Sequence, residues 1–273
     1  MRKIVDSNYL QSPKLAKYLA SSSQNYAVMT DYAAMEAYKG DTLNGIYKSM
    51  GILVKHPRQV IVLKNTSIVA WLNGRGSGLQ SRFIDHKQTR EFSIFCRNLA
   101  AAENGNHDLE RKILEHGRLA NEHMKNLLKT AESMSSAVRS LTKHYTKDEL
   151  RILRADSPLT EEMANKLIQD VLRIAAAAFT DNSKIQKWPD DSTLPNTFVF
   201  RSALCYYLLA LEWIKVGGAS GANAATLRND IVDSNFAAYS TYFDGLLSTD
   251  VKLVRIYKTA SFLLSNIFFH IYK

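Results

Sequence analysis

Acidic side chains stand along this chain at places where a parallel sheet would gather them. Asp6 ends the apolar, β-branched stretch Lys3–Val5, and Asp250 follows a second short stretch at Gly245–Leu247. Open parallel sheets present ligand-binding groups at the carboxyl edge of their strands, so both acids are expected at one edge. Glu36 falls in a helical pattern after the first loop, and Asp233 is expected in the first turn of the helix leading to Gly245–Leu247. Asp230 and Asp244 are further acids close by, either of them able to replace or supplement a member. Hard divalent cations such as Mg2+ and Mn2+ prefer carboxylate and water oxygens. The chemistry to expect from such a set is therefore activation of a metal-bound water, with no Ser or Cys nucleophile required.

The elements that would position these acids alternate at the start of the chain. Lys3–Val5 reads as a buried strand that stops at the polar Asp6-Ser7-Asn8. Ser12-Pro13 then offers an N-cap and a proline at the first helical position, with Leu15 and Leu19 on the buried face. Tyr26–Met29 reads as a second strand, Asp31–Lys39 as a helix capped by Thr30 and ended by Gly40, and Thr42–Val54 as another helix. Gln59–Leu63, with its Val-Ile-Val run, is a third strand. This alternation predicts an α/β fold whose parallel sheet is flanked by helices.

From Arg82 to Val216 the pattern becomes helical, as in Leu109–Leu141, Thr160–Phe179 and Phe198–Ile214. Residues 82–216 are accordingly read as an all-helical insertion, bounded by an Asn73–Gly78 flexible loop and a Gly217–Gly221 hinge. Asn73–Gly78 makes a poor phosphate loop because no Lys-Ser/Thr pair follows it. After the hinge the helix–strand–helix style returns, so residues 1–72 and 222–273 are expected to form one discontinuous core.

The set IVDSNYL, then the helix with Glu36, then NDIVDSNFAAYSTYFDGLLSTD resembles the PIN-domain nuclease family. Asp233 followed by Ala237-Ala238, and Ser248-Thr249-Asp250 closing the last short strand, carry that resemblance beside Asp6. It implies a PIN-like sheet with Asp6, Glu36, Asp233 and Asp250 as catalytic, metal-binding acids, Asp230 and Asp244 beside them as metal ligands, and Asn8 and Thr249 as positioning groups. It implies Mg2+ or Mn2+ as cofactor and metal-assisted hydrolysis of a phosphodiester, with RNA the expected polymer. A DNA nuclease, or a catalytically silent PIN-like module binding nucleic acid or protein, is the alternative. A homo-oligomer or an inhibitory protein partner is compatible with the family. The long insertion departs from the compact PIN pattern.

Other features narrow the function class. A net charge of +9 favours contact with a polyanion, and Arg75, Arg82, Lys87 and Arg90 are the candidates to line a phosphate backbone. The histidines are scattered without zinc-site spacing, and Tyr206, Tyr207 and Trp213 sit on an apolar helix as core residues. Asp31 is the nearest rival to Glu36, and Asp230 has Arg228 as a nearby charge partner. Cys96 and Cys205 stand far apart and read as reduced core thiols. No segment has the length of a bilayer span or of a signal-peptide core, which leads to the expectation of a cytoplasmic protein without membrane partners.

Overall fold

The computed structural model describes residues 1–38, 42–180, 188–218 and 223–268. Lys39, Gly40 and Ala219–Gly221, invoked above as a helix end and as breaks, lie outside the described residues. In chain order the elements are β1 (Arg2–Val5), α1 (Pro13–Ala20), β2 (Tyr26–Met29), α2 (Asp31–Tyr38), α3 (Leu43–Lys55), β3 (Val60–Val62), α4 (Thr66–Val69), α5 (Leu79–Phe83) and α6 (His86–Glu103). There follow α7 (His107–Thr142), α8 (Lys147–Arg154), α9 (Glu161–Thr180), α10 (Phe198–Lys215), α11 (Ala224–Ser240), β4 (Leu246–Leu247) and α12 (Val251–Leu263).

The four strands form one parallel sheet in the order β3-β2-β1-β4. Ile4 pairs with Val28 on one side and Leu246 on the other, while Val28 pairs with Ile61. Their side chains are buried or nearly so, as expected for a parallel sheet covered on both faces. β4 is the edge strand beside β1 although most of the chain separates them, so strands from the start and from late in the sequence pair directly.

The chain divides into two compact units. The sheet unit comprises Met1–Val69, Gly78–Asn126 and Tyr242–Val251. The helical unit comprises Ala70–Ser77, Leu127–Thr241 and the chain from Lys252 onward. This division differs from the boundaries read off the sequence, because Gly78–Asn126 belongs with the sheet and α12 with the helices. Helical periodicity reports that a helix has an apolar face, not which element covers it. Here Phe92, Cys96 and Leu99 bury the inner face of α6, which packs on β3 and α3. Thr89 fixes the contact, its hydroxyl accepting from the Val62 amide at 3.0 Å.

In the helical unit α10 is buried on nearly every side, with Phe200, Leu204, Cys205, Tyr207 and Leu209 out of solvent, and it packs against α8, α9 and α11. A helix apolar all round belongs in a core. α8 opens with a capping box in which Thr146 and Glu149 satisfy each other's backbone amides. The loop before α5, expected to be flexible, is pinned at Gly74: a Cβ there would lie 1.9 Å from the Thr193 carbonyl oxygen. Cys96 and Cys205 are buried free thiols, in line with the reading of the sequence. No helix of the described residues is long and apolar enough to cross a membrane.

Candidate functional site

Asp6 follows β1 immediately, Thr30-Asp31 follow β2, and Ser248 follows β4; parallel pairing sets all three at the carboxyl edge of the sheet. The carboxylate of Asp6 is 1% exposed. One oxygen, Oδ2, accepts from the Ser248 hydroxyl at 2.6 Å. The other, Oδ1, lies 3.3 Å from the Ser7 hydroxyl and 3.4 Å from the Asn8 amide. Ser7 also bonds Glu36, and Ser248 accepts from the Asp250 amide at 3.0 Å. Two serines thus tie Asp6 to Glu36 on α2 and to Asp250 ahead of α12.

Asp6 and Glu36 of this cluster, and Asp31 near it, are unusual for their lack of basic partners. Among the described residues no Lys, Arg or His forms an ion pair with Asp6, Glu36 or Asp31. Burial pushes the Asp6 carboxyl above the usual carboxylate range; hydrogen bonds from Ser248, Asn8 and Ser7 oppose that, and the charge of Asp250 adds to it. The Ser7 hydroxyl has one proton to donate but faces two carboxylates, Asp6 and Glu36. One of those contacts lacks a proton unless a carboxyl is protonated or a cation intervenes.

Asp31 is half-buried a short way along the same edge and is fully engaged. Thr66 gives it both its amide and its hydroxyl at 2.7 Å, and the Tyr32 amide lies at 3.0 Å. Its carboxyl is also pushed up by burial, against the hydrogen bonds from Thr66 and Tyr32 and the nearby His123.

Of the remaining sequence-predicted acids, Asp233 and Asp230 lie in the helical unit and Asp244 in the sheet unit. Asp233 is in the middle of α11, not its first turn, because Asn223 caps that helix well upstream, accepting from the Thr226 amide at 2.8 Å. It belongs to the helical unit. Asp230, one turn earlier, is buried and ion-paired with Lys252, whose ammonium also rides over Trp213 at 5.4 Å from the ring centre. Arg228 turns instead to Asn229. Asp244 is exposed and accepts from the Arg2 amide at 2.7 Å. That contact sits where β1 begins, at the amino edge of the sheet, opposite Asp6. A four-residue strand separates the two edges by about 13 Å at about 3.3 Å per residue, so Asp244 ties strands together and does not join the cluster.

Asn8 and Thr249 both have exposed side chains. Asn8 contributes only its amide, and the bridging is done by their neighbours Ser7 and Ser248. Sequence reasoning missed both serines. The signal was present, since each adjoins a strand-ending segment with an acid beside or near it, in Asp6-Ser7 and Ser248-Thr249-Asp250. Among the described residues no group of three or more His, Cys, Asp or Glu side chains is arranged as a ready metal cage. The basic candidates are divided: Arg75 lies in the helical unit, while Arg82 on α5 and the exposed Lys87 and Arg90 on α6 lie in the sheet unit.

Compared with protein-family models, with curated proteins and with solved structures, the chain matches none.

Proposed function

We propose that the protein is a metal-dependent nuclease of PIN-like type, acting on RNA, with Asp6, Glu36 and Asp250 as the acids that take up the cation. The observation that carries this reading is the buried, cation-free carboxylate of Asp6, joined through Ser7 and Ser248 to two more acids at the carboxyl edge of a parallel sheet. The donor set is made of hard oxygens, which suits Mg2+ or Mn2+ and not a softer metal. A bound ion would supply an activated water and neutralise charge building on the scissile phosphate. The chain's own residues have separate tasks. Asp6 anchors the cluster, Ser248 orients its Oδ2 and aligns the Asp250 segment, and Ser7 holds Glu36 toward it. The acids are bridged by hydroxyls and not gathered on one point, so uptake of metal requires them to draw in. Asp233 remains a proposed fourth acid on the family resemblance alone.

RNA as the polymer rests on the same resemblance and on the basic charge of the chain. Cleavage of end-labelled single-stranded RNA and DNA, with Mn2+, Mg2+ or EDTA, tests the proposal. Wild-type protein is expected to cut RNA only with metal, and Asp6→Asn to lower the rate by at least about 100-fold. Cleavage that survives EDTA, or equal cleavage by Asp6→Asn, would sink the assignment.

A second reading, a catalytically silent PIN-like module that binds nucleic acid or protein, is favoured by the lack of a preformed three-acid cage among the described residues. RNA binding without cleavage under any metal would select it.

A further inference from the structure

The carboxyl edge of the sheet carries cations as well as acids. Ile4, Val28 and Ile61 lie level across β1, β2 and β3. Two residues further on, Asp6 and Leu63 are level as well, two strands and so about 10 Å apart. Lys64 follows at once, half-buried, with its amide donating to the Phe83 carbonyl at 2.9 Å. Asp31, after the strand between them, is held by Thr66 and the Tyr32 amide and forms no ion pair with Lys64.

α6 begins at the same level. The Asp85 amide donates to the Val62 carbonyl at 2.9 Å, and Thr89 bonds Val62 from the next turn. The helix also packs on Pro57–Gln59 ahead of β3, so it runs from the carboxyl edge back toward the amino edge. Its solvent face carries Lys87 and Arg90 near the start, both exposed. Side chains on a helix lean toward its N-terminus, so these two lean toward the carboxyl edge. Cations near a helix start oppose the helix dipole, and beyond the Asp85 cap the first turn of α6 holds no acid to offset them. The stability of α6 therefore does not account for them.

Exposed cations elsewhere in the sheet unit are paired along their own helix: on α7, Arg111 meets Asp108, and Arg118 meets Glu115 and Glu122. Among the described residues Lys64, Lys87 and Arg90 form no ion pair. The nearby Asp85 carboxylate is turned to the Gln88 amide at 2.9 Å instead. Three cations thus line the β3 side of an edge whose acid cluster stands on the β1 side. Acids alone would repel a polyanion, and a strand crossing this edge needs its phosphates met on the side away from them. We infer that Lys64, Lys87 and Arg90 bind the phosphate backbone of single-stranded RNA and so bring a phosphodiester to Asp6.

The inference rests on RNA as the polymer of the proposed function, but not on the metal or the cleavage step. Its test is fluorescence anisotropy of the full chain with an end-labelled single-stranded RNA of about 12 nucleotides, in EDTA and at rising KCl. Expected is saturable binding that Lys64→Gln/Lys87→Gln/Arg90→Gln weakens about tenfold or more. Each phosphate contact on a single strand contributes about −0.7 to the slope of log K against log salt, so this variant is expected to lose about 2 from the slope. Lys55→Gln/Arg58→Gln/Arg97→Gln removes the same charge from exposed positions ahead of β3 and further along α6, and is expected to keep the slope. Binding of this kind in a protein that never cuts RNA under any metal would fail the nuclease reading and keep this one. Equal losses in the two variants, an unchanged slope in the first, no saturable wild-type binding up to about 100 µM, or equal displacement of the RNA by polyglutamate would overturn the inference.

Discussion

The two units treat buried and half-buried acids in opposite ways. In the helical unit Glu149 is held by Lys166 at 2.7 and 2.8 Å, Glu212 by Lys215 and Arg255 at 2.9 Å each, and Asp230 by Lys252. In the sheet unit Asp6, Asp31 and Glu36 receive only hydroxyl and amide hydrogen bonds. Burying a charge is costly unless it is paired. A basic chain has lysines and arginines enough to compensate both sets. The contrast teaches that pairing within the helical unit completes a fold, whereas Asp6, Asp31 and Glu36 of the sheet unit have no ion-pair partner among the described residues.

The largest way to break this comparison is to remove a counterion. Lys166→Met leaves Glu149 buried beside the Thr146 amide and the ring of Tyr145. The helical unit is expected to lose about 2 kcal/mol in urea unfolding, with Mn2+ bringing no recovery. Full recovery by Mn2+ would erase the distinction between the units.

A smaller effect comes from the bridge in the other unit. Ser248→Ala removes the donor to Asp6 Oδ2 and the acceptor for the Asp250 amide. It is expected to cost about 1 kcal/mol at neutral pH and to raise the Asp6 carboxyl further. An unchanged midpoint would show that the serine does not hold the cluster.

The smallest effect is in pH dependence, and its sign differs between units. Asp6 and Asp31 titrate above their ordinary value of 3.8 in the folded protein, chiefly through burial. Their contribution to stability is complete below that value and is lost as pH rises through the folded one, at no more than about 1.4 kcal/mol per pH unit for each group. Glu149 titrates below 4.5 because of its bond from Lys166. Its contribution is present above 4.5 and is lost as pH falls through the folded value. Peptide-resolved hydrogen exchange on metal-free protein, corrected for intrinsic rate, is expected to show the sheet unit loosening with rising pH and the α8–α9 region loosening with falling pH. The same slope in both would contradict the assignment.

Much of the sheet was legible in the residues themselves. Lys3–Val5, Tyr26–Met29 and Val60–Val62 are short apolar runs closed by polar residues, and burial on both faces leaves that pattern no other home. Asp6 was legible for the same reason, as the polar residue at which a buried strand must stop. What the pattern could not show was where α11 begins. Asn223, not a residue near Asp230, supplies the cap, and that moved Asp233 into mid-helix. Nor could it show that Asp230 would meet Lys252, which is 22 positions away in sequence. Asp244 looked like a neighbour of Asp250, but the strand between them carries the two to opposite edges. Spacing along a chain reports distance only within one element, and each of these cases crosses an element boundary.

The central claim is that Asp6 and Glu36, which have no Lys, Arg or His ion pair among the described residues, join Asp250 in taking up a divalent cation at the carboxyl edge of the sheet. The most direct test is unfolding of wild type and of the Asp6→Asn/Asp250→Asn variant as Mn2+ is raised. Wild type should gain about 2.7 kcal/mol when Mn2+ reaches about 100 times its Kd, while the variant starts at least as stable and gains little. No gain in wild type up to about 10 mM Mn2+, or the same gain in the variant, would contradict the account.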